Sequence, residues 1–109
     1  MTGKRPPTPP THLLAATKAW WASVMENFEM EPHHTRLLTL AAETWDRAQS
    51  ARAVIAKRGP FYDDRFGAPK AHPAVAVERD AKVLFARLLR ELRLDIDAPE
   101  SRPPEGGKR

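Results

Sequence analysis

The sequence predicts an all-α fold. It comprises three helices, the second and third forming a long antiparallel helical hairpin. A short loop or β-hairpin-like connector joins them, and disordered Pro-rich tails flank the body. Three observations predict this. Apolar residues recur at helical spacing through three long segments. Glu31-Pro32 and the Gly/Pro-bearing run from Gly59 to Pro69 interrupt them. Prolines also crowd the ends, with four of the 11 in the first ten residues and three in the last eleven. The expected boundaries are a disordered basic arm over 1–10, a helical domain over 11–96 and a disordered tail over 97–109.

The first helix is expected from Thr11, a possible cap, to Met30. Leu14, Trp21 and Phe28 recur every seven residues with Met25 beside them, while Leu13, Ala16, Trp20 and Val24 form an adjacent face. Adjacent tryptophans cannot point the same way. Either the core stripe is wide, or one of the pair packs against another subunit.

Pro32 suits the first turn of a second helix, expected from His33 to Arg58. Leu38, Ala41, Trp45, Ala48 and Ile55 supply its apolar stripe, with Leu37, Ala51 and Val54 alongside. Its small alanines allow a partner helix to come close. Lys57 and Arg58 complement the dipole of the last turn, and Gly59 is placed to end the helix in a left-handed conformation.

The connector "GPFYDDRFGAPKAH" carries the aromatics Phe61, Tyr62 and Phe66 and is expected to turn near "FGAP". Its length suggests a role beyond linking. The third helix should open at His72-Pro73 and run to Leu94. At 100° per residue, Ala74, Val77, Ala81, Leu84, Phe85, Leu88 and Leu92 fall opposite Arg79. Lys82, Arg87, Arg90 and Arg93 fall on the side of Arg79, flanked by Asp80 and Glu91.

Composition narrows the chemistry. At 109 residues, 41% hydrophobic and 29% charged, the chain has the size and balance of one small globular domain. The core must be small, so self-association is a natural source of further stability. No apolar run approaches the ~20 residues of a membrane span, and the first residues lack a secretory apolar core. A cytoplasmic protein with no membrane partner is expected. The absence of cysteine excludes disulfides, thiolate metal sites and a cysteine nucleophile.

No catalytic pattern appears. His33 and His34 are adjacent and so diverge on a helix, while His12 and His72 stand alone. No nucleophile elbow and no glycine-rich phosphate loop occurs. The carboxylate pairs Asp63-Asp64 and Glu78/Asp80 lack the basic and histidine companions of a metal-dependent nuclease. Neither an enzyme nor a cofactor is expected.

The net charge of +4 and a pI near 9.9 favour polyanions among possible partners. The arginine face of the third helix has two readings: a solvated surface, or a polyanion surface. Glu78 and Lys82 make one well-oriented i,i+4 pair, and Arg87 and Glu91 a reversed one. Arg79, Arg90 and Arg93 are less obviously neutralised within the helix.

The runs "EPHHTRLLTLAAETWDRAQSAR", "DRFG-x-P-K-x-HP-x-V-x-x-ERDA" and "F-x-RLLREL-x-LD" resemble the small subunits of tailed-phage terminases. A weaker likeness begins at "HLLAATKAWW", so the resemblance covers residues 12–96. It implies a helical protein that assembles into a ring-like homo-oligomer, recognises double-stranded viral DNA at the packaging site in the bacterial host cytoplasm, and recruits and stimulates the terminase large subunit. The ATPase and nuclease chemistry would belong to that partner. No helix-turn-helix is evident. DNA contacts are therefore expected from charge alone: Lys4 and Arg5 in the arm, Lys57, Arg58, Arg65 and Lys70 around the connector, and Arg79, Lys82, Arg87, Arg90 and Arg93 on the third helix. Trp20, Trp45 and Phe61 are the expected oligomer contacts. The Glu78-Arg79-Asp80 triplet could instead form ion pairs between subunits. Two alternatives stay open: an oligomeric adaptor that docks the large subunit without touching DNA, and a small basic DNA-binding regulator.

Overall fold

The structure, a computed structural model, describes residues 7–94. Its elements are α1 (Ala15–Asn27), α2 (Pro32–Arg58), β1 (Phe61–Asp63), β2 (Pro69–Ala71) and α3 (Pro73–Leu92). The expected helical hairpin is present, and its connector is a true β-hairpin. Phe61 pairs with Ala71, Tyr62 with Lys70 and Asp63 with Pro69, antiparallel. Lys4, Arg5 and the expected tail over 97–109 lie outside the described residues.

α1 is shorter than expected at both ends. Thr11 lies in a turn and does not cap it; the N-cap is Leu14, which has no capping side chain of its own. Asp46 of α2 takes over that task. Its carboxylate accepts the Leu14 amide at 2.9 Å and the Thr17 hydroxyl. An acidic group there also complements the positive end of the α1 dipole. Leu14 consequently faces solvent, and Leu13 is buried in its place. At the other end Phe28 adopts extended backbone angles, so the helix stops at Asn27 rather than Met30.

α2 begins with a reciprocal cap. The Glu31 side chain accepts the His34 backbone N–H, and the Glu31 amide donates to the His34 ring at 3.2 Å. Its far end closes at Gly59, with φ +84° and ψ 163°. The positive φ was expected. The extended ψ was not, and it places the residue in a region essentially confined to glycine.

The α2–α3 register can be read from two contacts. Arg52 faces Glu78 at 3.9 Å, and the Trp45 and Phe85 rings lie 5.1 Å apart. Moving seven residues back along α2, from 52 to 45, moves seven forward along α3, from 78 to 85. Another such step reaches Leu38 and Leu92, both buried in the principal core cluster with Leu13, Trp21, Val24 and Ala42. Elsewhere the buried apolar side chains are chiefly alanines: Ala41, Ala48 and Ala51 on α2, Ala74 and Ala81 on α3. Small side chains let the two helix backbones approach closely, so the buried strip is narrow. Val77 and Leu84 are for that reason exposed, against expectation. At 100° per residue they lie on the flank of α3 away from Phe85, and Phe85 is the side that α1 covers through Trp20. Trp45 and Val54 on α2 are likewise more exposed than their place in the stripe suggested.

Candidate nucleic-acid interface

The fold sorts the predicted cations into two groups. Lys57 and Arg58 end α2, and Arg65 and Lys70 belong to the β-hairpin that follows, so the chain path brings all four to one end of the molecule. Arg79, Lys82, Arg87, Arg90 and Arg93 are exposed along α3. A straight α-helix separates Arg79 from Arg93 by about 21 Å.

The hairpin end is built by Asp64. Its Oδ1 accepts the amides of Phe66 at 2.8 Å and Ala68 at 2.9 Å. Its own N–H donates to the Ala68 carbonyl, and its carbonyl accepts from Gly67, both at 2.9 Å. Gly67 takes φ +80°, which a side chain would oppose. The His72 amide donates to the Pro60 carbonyl at 2.7 Å and closes the base. His72 then caps α3 by accepting the Ala74 amide at 3.0 Å, with Pro73 in the first turn. This network holds Phe66 outward, 80% exposed, with the Arg65 guanidinium 5.0 Å from its ring centre. Phe61 and Tyr62 are also exposed.

The α3 cations differ in how they are answered. Lys82 donates to Glu78 at 2.8 Å, and Arg52 approaches the same carboxylate from α2. The Lys82 hydrogen bond foremost, with the charges of Lys82 and Arg52, holds the Glu78 carboxyl below its ordinary range, against a smaller opposing effect of burial. Arg79 donates to its neighbour Asp80 at 3.2 Å and is neutralised within the helix, contrary to the sequence reading. The reversed pair of Arg87 and Glu91 does not form. Arg87, Arg90 and Arg93 have no ion-pair partner among the described residues. Arg93 adopts a left-handed conformation, φ 60°, as the C-cap of α3.

Two of the three expected subunit contacts converge. Trp20 and Trp45 both meet Phe85, with ring centres 5.9 and 5.1 Å apart. Together with Ala16, Leu89 and Leu94 they line an apolar groove of about 540 Å³. Trp45 remains 41% exposed there. Phe61 lies apart, on the hairpin. Sequence reasoning placed Phe85 in the core and did not assign Leu89. The signal was the tryptophan doublet, which left open a wide core stripe or a contact with another subunit. Asp46 was missed altogether, because its partners lie about thirty residues away and no local pattern marks it.

Among the described residues, no group of three or more His, Asp or Glu side chains could hold a metal ion. No helix there is long and apolar enough to cross a membrane. A family model described as phage terminase, small subunit, matches residues 17–103, most of the chain. No curated protein matches, and no solved structure does.

Proposed function

The chain belongs to the phage terminase small subunit family, and from that premise we propose that it is the non-catalytic DNA-recognition component of a genome-packaging motor. It binds double-stranded viral DNA at the packaging site, and it recruits and stimulates the large subunit, which supplies the ATPase and nuclease chemistry. It acts in the host cytoplasm as a homo-oligomeric ring. The observation that carries the DNA reading is the positive charge of Arg87, Arg90 and Arg93, which are exposed and have no ion-pair partner among the described residues. Lys57, Arg58 and Arg65 add to it at the hairpin end, while Lys70, Arg79 and Lys82 are partly spent on Asp64, Asp80 and Glu78. Cations of this kind hold DNA through phosphate contacts and counterion release. Sequence preference then comes from DNA shape rather than base-edge readout.

Self-assembly is assigned to the groove at Trp20, Trp45 and Phe85, because exposed aromatic surface of this kind is typical of subunit contacts. Phe61, the third expected subunit contact, stands exposed on the hairpin, apart from this groove.

A mobility shift with the full chain and packaging-site duplex tests the reading. Retardation at low salt that disappears as salt rises is expected. No retardation at ~50 mM salt contradicts it. A pull-down of the large subunit by a chain that fails to bind DNA selects the adaptor alternative. Light scattering should give a mass of several subunits, and a monomer at micromolar concentration contradicts the ring.

A further inference from the structure

Building on the DNA-binding reading above, we propose that the β-hairpin is a DNA-bending wedge, with Phe66 entering the minor groove between two base pairs while Arg65 and Lys70 hold the adjoining phosphates. Minor-groove proteins kink duplexes by inserting an apolar side chain between base steps, gaining contacts that a straight duplex cannot make.

Four features of the hairpin fit that task. Phe66 stands at its tip, 80% exposed, with the Arg65 guanidinium against its ring. The tip is already ordered: both amides that position it, Phe66 and Ala68, are tied to Asp64 Oδ1. Little ordering cost therefore remains to be met on binding. The neighbours of Phe66 on its far side are small, and a Cβ at Gly67 would meet nothing within 4 Å. The backbone can thus come close to a narrow groove. Finally, the carboxylate nearest the tip is already engaged: Asp64 holds the turn amides and lies 4.0 Å from the Lys70 ammonium.

A protein pocket is the competing partner for an exposed phenylalanine. It would have to take the ring together with the Arg65 guanidinium that lies against it, and desolvating a cation without an acidic partner is costly. Phosphates on either side of a groove meet both demands at once. The observations therefore favour nucleic acid.

The test uses the full chain and a duplex of about 30 base pairs labelled at both ends for energy transfer. Wild-type protein should bring the ends closer together. Phe66→Ala should bind about tenfold more weakly and leave the duplex straight, while light scattering shows the assembly at its wild-type mass. Phe66→Leu should still bend it, since a leucine can also serve as a wedge. A Phe66→Ala chain that bends DNA as the wild type does overturns the proposal. So does a Phe66→Leu chain that leaves it straight, and so does loss of assembly in Phe66→Ala, which assigns the ring to a subunit contact. Wild-type protein that binds without bending sinks the wedge and leaves the DNA reading intact. Wild-type protein that does not bind duplex at all removes both.

Discussion

Asp46 ties two helices together through one carboxylate. It accepts from the Leu14 amide and the Thr17 hydroxyl, which α1 would otherwise have to satisfy at its own unprotected start. Asp46→Ala should lower stability by about 1–2 kcal/mol, read as a shift in the urea midpoint. Arg93 presents the opposite case. A non-glycine residue in the left-handed region carries a cost, and Arg93 ends α3 at φ 60°. Arg93→Gly should raise stability by about 0.5–1 kcal/mol while weakening duplex binding. Thermal melts and a binding titration on one sample check both signs. A residue that costs stability yet has no ion-pair partner among the described residues fits a role outside folding. Neither feature was legible in the sequence. The Asp46 contact is purely tertiary, and the left-handed turn at Arg93 lacks the glycine that normally announces one.

At the scale of elements, the α2–α3 contact combines the Trp45–Phe85 rings, the buried Leu38 and Leu92, a row of alanines and one three-residue charge cluster. Ala48 has no exposed surface, so Ala48→Leu must force the helices apart and should cost about 1–3 kcal/mol. An unfolding free energy within about 0.5 kcal/mol of wild type would contradict the close approach. The cluster of Lys82, Glu78 and Arg52 gives the contact an acid sensitivity. The Glu78 carboxyl is held below its ordinary range, so its contribution is fully present above the unfolded value of about 4.3 and fades as pH falls through the lower folded value. Wild type should therefore melt above Glu78→Gln at pH 7, and the gap should narrow as the pH falls below about 4. A gap that is constant with pH would remove the assignment. The helix types, the turn at Gly67 and the Pro73 start followed from periodicity and breakers, because those signals are local. The exposure of Val77 and Leu84 did not. It depends on how close two alanine-lined helices come, and on which flank α1 covers.

For the whole molecule, the sequence's basic balance resolves into two basic surfaces and an apolar groove. The charge pattern of α3 was legible from 100° spacing, but its pairing was only half so: Glu78 with Lys82 was foreseen, while Arg79 with Asp80 and the missing Arg87–Glu91 pair depend on rotamers. The groove was foreshadowed by the adjacent tryptophans, and Phe85 as their common partner emerged only from the helix register. These surfaces divide the work of the proposed motor component, with the groove meeting another copy and the cations meeting DNA. Arg90 separates the two roles, because it lies on the face of α3 directly opposite the buried row of Ala74, Ala81 and Leu88. The most direct measurement is the duplex affinity of Arg90→Glu at ~100 mM salt, taken alongside its assembly mass. The account predicts binding about tenfold or more weaker with the oligomer at wild-type mass. Unchanged affinity, or an assembly that falls apart, would contradict it and assign the arginine face to solvent or to the neighbouring subunit.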